Sequence, residues 1–162
     1  MEYIHKCHCL HRDLAARNVL LSYGNLLKIT DFGLAKDVHY SGDQYLEKSK
    51  RKFAIKWLSP ESIRYELYNK ATDIWSFGVL LWEIFSLGEC PYHHLENHQV
   101  LKELDKGTRL EVPEMVDADV KDRVLKCWHL EPKLRGNFME LTIFFAGKLK
   151  NDALAYYESM AN

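Results

Sequence analysis

The sequence predicts a mainly α-helical domain carrying one small β-hairpin, and three observations predict it. Residues 74–85, Ile-Trp-Ser-Phe-Gly-Val-Leu-Leu-Trp-Glu-Ile-Phe, are apolar on nearly every face, so a helix there must be buried on most sides. Residues 95–107 and 119–128 carry apolar stripes at helical spacing, the second with Val120, Val124, Leu125 and Trp128 on one face. Residues 19–29 read as two short apolar strands joined by a Tyr23-Gly24-Asn25 turn.

The boundaries follow from local chemistry. Thr72-Asp73 opens the buried helix and Gly88 marks its end. Residues 86–92 read as a turn, 109–113 as an extended connector, and a final helix is expected from about Phe138 to Leu149. Residues 34–59 are polar and irregular, the signature of a loop that is functional or mobile. No repeat or low-complexity tract interrupts the chain, so residues 1–150 are expected to form one domain and 151–162 a tail.

Composition narrows the classes. With 162 residues, 47% of them hydrophobic, the chain can bury a real core. Its net charge of -1 gives no general pull toward nucleic acid or acidic membrane. No apolar run reaches the roughly 18 residues of a membrane span. Cys7, Cys9, Cys90 and Cys127 are too few and too irregular for a disulfide scaffold, which favours a reducing compartment. His5, Cys7, His8, Cys9 and His11 crowd together, but no second Cys/His pair follows at the spacing a tetrahedral zinc site needs. A helix end and loop is the better reading.

The chemistry concentrates in His11-Arg12-Asp13-Leu14-Ala15-Ala16-Arg17-Asn18 and Asp31-Phe32-Gly33. Asp13 can accept a proton from a hydroxyl. Asn18 and Asp31 offer hard oxygen ligands of the kind Mg²⁺ prefers when it also holds phosphate oxygens. The intervening hairpin would return the chain beside its start, so Asp31 is expected close to Asn18. The spacing supports a shared metal site.

On these residues the chain resembles the C-terminal lobe of a protein tyrosine kinase. The match is to the H-R-D-L-x-x-x-N and D-F-G motifs together, and Ala15-Ala16-Arg17 is similar to the tyrosine-kinase version of the loop. The resemblance covers roughly residues 1–149 and is greatest to growth-factor receptor kinases of the platelet-derived, vascular endothelial and fibroblast groups. It implies a kinase-like helical lobe, ATP and Mg²⁺ as cofactors, Asp13 and Arg17 as catalytic residues, Asn18 and Asp31 as metal ligands, and Leu20 as the floor of an adenine pocket. It also implies a loop orienter in Asp73, an ion pair between Glu61 and Arg135, and Arg12 or the basic run 48–52 as receptor for phosphate on Tyr45 or Tyr40. In that frame residue 1 falls inside a helix, and the β-rich N-terminal lobe with its glycine-rich loop is missing. The isolated chain is therefore expected to be inactive.

Three residues depart from the family pattern. Ala54 replaces a proline that shapes the substrate shelf, Ser59 replaces alanine, and Gly136 replaces a proline, which predicts a looser chain beside Arg135. Tyr157 begins a Y-x-x-M pattern that, phosphorylated, could dock SH2-domain adaptors. Two functions compete. One is a receptor-type tyrosine kinase acting on protein tyrosines, on the cytosolic side of the plasma membrane; the other is a truncated, non-catalytic kinase that competes for partners.

Overall fold

The computed structural model describes residues 1–49 and 52–160, and beyond Lys150 only the backbone. Everything is arranged around one helix, α3, which for orientation follows α1 (Glu2–Lys6) and α2 (Pro60–Tyr65) and spans Lys70–Phe85. Its interior is buried from Thr72 to Glu83 apart from Phe77, as the all-round apolar pattern requires. It begins earlier than Thr72-Asp73 suggested. Asn69 is the cap: its side-chain oxygen accepts from Ala71 N at 2.9 Å and Thr72 N at 3.2 Å, while Thr72 Oγ1 accepts from Asn69 N at 3.2 Å.

Around α3 pack α4 (Asn97–Asp105), α5 (Ala118–Cys127) and the start of α6 (Phe138–Met160). Trp75 and Trp128 are the largest apolar side chains wholly buried there. At Gly78 a Cβ would stand 2.7 Å from the Trp128 indole nitrogen and 2.8 Å from Cys127 Cβ, so glycine is what lets α3 and α5 meet. Burial among these groups pushes the Cys127 thiol up to about 12, which keeps it neutral. The last helix does not stop near Leu149: α6 runs unbroken to Met160, so the segment expected as a tail from 151 continues it. Tyr157 lies on that stretch, where the side chains are outside the described residues.

Among the described residues, three antiparallel strand pairs decorate this body. The expected hairpin is β2 (Val19–Ser22) with β3 (Leu26–Ile29), and the register sets Val19 opposite Ile29. Gly24, at φ 72°, makes the turn in a conformation few other residues adopt. The segment read as irregular is more ordered than its polarity suggested. β4 (Lys36–Asp37) pairs with β1 (Cys9–Leu10), and β5 (Gln44–Leu46) pairs with β6 (Leu67–Asn69). A second, smaller core of Leu10, Val38, Leu58 and Tyr68 lies beneath these pairs. Alternation hid them, because strands of two or three residues carry almost no periodic signal.

Two departures from the family pattern acquire a physical account. Ser59 is fully buried and caps α2: its oxygen accepts from Ser62 N at 3.4 Å and lies 3.0 Å from Ser62 Oγ. An alanine there has no such group, and caps of this type contribute about 1 kcal/mol. Gly136 sits at φ 80° and ψ −152°, which proline, fixed near φ −65°, cannot adopt. The chain beside Arg135 is thus differently shaped rather than loosened. Restoring the family residue with Gly136→Pro is expected to destabilise the domain by more than about 1 kcal/mol in urea unfolding; a gain in stability would contradict the positive φ.

Candidate active site

The loop of residues 11–18 hangs from α3 by a carboxylate. Asp73, 1% exposed, accepts from Arg12 N at 2.9 Å through Oδ1 and from His11 N at 2.9 Å through Oδ2. Its Oδ2 also meets His5 Nε2 at 2.9 Å, which ties α1 to the same point. His5 in turn packs edge-on against Phe138. Arg12 is held at φ 69°, a left-handed conformation that those bonds maintain against its intrinsic cost. Asp73 therefore shapes the loop through its backbone.

From there the chain reaches Asp13 and Asn18 in one short excursion. Residues Ala16–Asn18 form a 3₁₀ turn. Asn18 Nδ2 donates to Asp13 O at 2.8 Å and to Asp13 Oδ2 at 2.9 Å, so both its hydrogens are committed. That leaves Oδ1 as the amide's acceptor, the atom type a magnesium ion takes. Arg17 pairs with the other oxygen of Asp13, and its guanidinium lies 4.8 Å from the centre of the Trp57 ring.

The hairpin brings the third residue back. Asn18 O accepts from Thr30 N at 2.9 Å and from Thr30 Oγ1 at 3.2 Å, which sets Asp31 one residue from that anchor. Asp31 adopts φ 59° and ψ 72°, and its Oδ1 accepts from Gly33 N at 3.2 Å. Phe32 packs edge-on against His11 at 5.0 Å, and His11 Nε2 lies 3.0 Å from Thr30 O, so the two motifs grip one another. Among the described residues no three His, Cys, Asp or Glu side chains gather in a way that could hold a metal. A cation held by Asn18 Oδ1 and Asp31 would need the remainder of its oxygen shell from phosphate and water, which is how Mg²⁺ is commonly bound beside nucleotides. Leu20 lies on β2 and, with Leu21, Leu26 and Leu27, leaves the hairpin apolar and exposed.

The residues beyond the loop are also in place. Arg135 is 1% exposed and commits all five of its N–H donors. It is bidentate to Glu61 at 2.5 and 3.0 Å, and it also donates to the carbonyls of Ala71, His129 and Leu130. Tyr40 is almost fully exposed, whereas Tyr45 is half-buried with Arg12 4.7 Å and Lys36 5.0 Å from its ring centre. Of the basic run 48–52, Lys50 and Arg51 lie outside the described residues.

Two residues that sequence reasoning passed over belong to the site. Glu83 Oε2 accepts from Ala16 N at 2.9 Å and from Trp57 Nε1 at 3.0 Å, bridging the loop of residues 11–18 and the turn Ile55–Trp57. A signal existed: Glu83 is the one charged residue in the otherwise uncharged stretch 74–85, and a charge inside a buried helix needs partners. Glu47 pairs with Arg12 at 2.6 Å, and nothing in its polar neighbourhood marks it.

Comparison with known proteins gives these features a family. A family model described as protein tyrosine and serine/threonine kinase matches residues 1–145, and the chain belongs to that family. Among curated relatives, the chain is 44% identical to vascular endothelial growth factor receptor 3 of Coturnix coturnix over 153 residues, covering 94% of this chain and 11% of the receptor. It is 43% identical to platelet-derived growth factor receptor alpha of Takifugu rubripes over 159 residues, 98% of this chain and 15% of that protein. Against human vascular endothelial growth factor receptor 1 the identity is 45% over 142 residues, 87% of this chain and 10% of the receptor. The chain thus spans no more than 15% of the length of these relatives. No helix among the described residues is long and apolar enough to cross a membrane.

Replacing Asp73 by alanine strips two buried backbone donors of their acceptor. The expected loss is about 3 kcal/mol in urea unfolding, two charge-assisted bonds at 1.5 kcal/mol or more each. A loss under about 0.5 kcal/mol, the range of an ordinary surface change, would refute the anchoring role.

Proposed function

We propose that this chain is the catalytic-loop lobe of a receptor-type protein tyrosine kinase that moves the γ-phosphate of ATP to tyrosine hydroxyls of proteins. The observation that carries the proposal is the contact of Asp13 with Asn18, made while Asn18 is anchored next to Asp31. In this reading a general base, an amide oxygen and a carboxylate serve one nucleotide at the mouth of the hairpin.

In this reading Asp13 orients the substrate hydroxyl and takes its proton as the phenolic oxygen bonds to the γ-phosphorus. The bond from that phosphorus to the bridging oxygen breaks, and ADP leaves with the electron pair. Magnesium, held by Asn18 and Asp31, would supply positive charge against the phosphate oxygens. Arg17 holds the Asp13 carboxylate from the side facing Trp57 and adds positive charge near the transferred group. Leu20 offers an apolar surface to the adenine ring. Glu83 keeps Trp57 and Ala16 at a fixed separation, so the surface that receives the substrate tyrosine moves with the loop that acts on it.

Catalysis of this kind is positioning and electrostatics, so ligands without a phosphate-covering lobe give little rate. The 162 residues contain no G-x-G-x-x-G loop, and their one near match to V-A-I-K, Phe53-Ala54-Ile55-Lys56, runs into a 3₁₀ turn and is no strand. For partners we infer protein tyrosine substrates, with SH2-domain adaptors at phosphorylated Tyr157. The parent receptor would hold this lobe at the cytosolic face of the plasma membrane.

The test is transfer of labelled γ-phosphate to a tyrosine peptide. The 162-residue chain alone should give no measurable product, and joining it to the N-terminal lobe of a receptor tyrosine kinase should give activity. In the joined protein Asp13→Asn should then lower kcat by at least about a hundredfold, the usual contribution of a general base. Full activity in that variant would reject the assignment. A joined protein that folds, binds nucleotide and stays inactive would favour the non-catalytic module instead.

A further inference from the structure

Arg12 stands where the catalytic loop meets the segment running from β4 through β5. Its guanidinium is fully buried: Nη1 donates to Leu34 O at 3.1 Å and Nη2 to Glu47 Oε2 at 2.6 Å. The rings of Tyr68, Tyr45 and Phe53 surround it at 4.2, 4.7 and 5.2 Å, a cation–π box that excludes water. The second oxygen of Glu47 accepts from Lys48 N at 3.1 Å, Ser49 N at 2.9 Å and Ser49 Oγ at 2.7 Å. Burial alone would push the Glu47 carboxyl up, but the Arg12 and Ser49 donors outweigh it and hold it down to about 2.

A guanidinium, two backbone amides and a hydroxyl converging on one spot make an anion site, and here the chain fills it with its own carboxylate. The donor set could serve a larger anion as well, since Arg12 Nε is buried without an acceptor among the described residues. Tyr45 lies against the same guanidinium, so a phosphate on Tyr45 and the carboxylate of Glu47 would compete for one cation.

We propose that Glu47 is a positioning residue that occupies the Arg12 anion site, docking the segment around β5 onto the catalytic loop with no phosphate on Tyr45. The identification of that segment as part of a phosphotransfer site rests on the kinase reading above; the docking itself does not. Glu47 N donates to Glu66 O at 3.0 Å and extends the β5–β6 pairing, so the carboxylate and the strand fix the segment from two sides. With its carboxyl near 2, the group stays ionised through the physiological range, and the docking is insensitive to pH there. Stability from this pair is complete above the ordinary glutamate value of 4.5 and fades only as pH falls from there toward 2.

The test is amide hydrogen exchange on the full chain, read by mass spectrometry over residues 44–49, with no catalysis involved. Glu47→Ala should raise exchange there by about a hundredfold, since it strands a buried charge. Millimolar inorganic phosphate should restore protection in that variant and leave the wild type unchanged, while Glu47→Asp should keep part of the protection without phosphate. Should Glu47→Ala unfold, its melting temperature reads the same question: phosphate should raise it by more than the general salting effect seen in the wild type. Wild-type protection in Glu47→Ala, or a loss that phosphate does not reverse by either readout, would overturn the proposal.

Discussion

One buried carboxylate holds this structure to its purpose. Asp73 sits inside a helix that is apolar on almost every face, and its two oxygens serve His11, Arg12 and His5. A charge so deep is costly unless its partners are in place, so the loop, α1 and α3 are energetically coupled through it. The left-handed turn at Arg12 follows from that attachment. So does the position of Asp13, one residue further on.

The same device recurs at larger radius. Glu83 ties the loop to Trp57, Glu61 ties α2 to Arg135, and Glu47 ties the β5 segment to Arg12. Each is a buried or nearly buried acid facing backbone donors or a guanidinium, and each joins chain segments that are distant in sequence except at the loop itself. Apolar packing around Trp75 and Trp128 supplies the body, but it is non-directional. The charged groups fix register. The phosphoryl transfer proposed above demands that sort of order, because small errors in the placement of a base or a metal ligand cost much of the rate.

Much of this was legible from the residues. The buried helix and the hairpin, which returns Thr30 to Asn18, follow from periodicity, a turn signal and chain geometry. The pairing of Glu61 with Arg135 came instead from family resemblance, since nothing local to either residue names the other. What escaped has physical causes. The short strands β4 and β5 are too brief to alternate, and they persist through the small core of Leu10, Val38, Leu58 and Tyr68. α6 outruns its expected end near Leu149 because the sequence offers no strong stop before Met160. Glycine in place of proline at 136 predicts a looser chain, but the sign of φ, which decides the matter, is not written in a residue's identity. Glu47 lies in a polar run where acids are ordinarily solvated, and only the fold reveals that Arg12 reaches it.

The central claim is that Asp13, Asn18 and Asp31 surround one magnesium-bound nucleotide. It is tested most directly by paramagnetic broadening of nuclear resonances when Mn²⁺ and ATP are added together to the chain. The side-chain amide of Asn18 and the backbone amides of Asp31 and Gly33 should broaden in concert, and Asp31→Asn should weaken the effect at Asn18 as well as at its own site. Broadening at Asn18 that is indifferent to Asp31, or at neither, would contradict a common ion and the kinase chemistry built upon it.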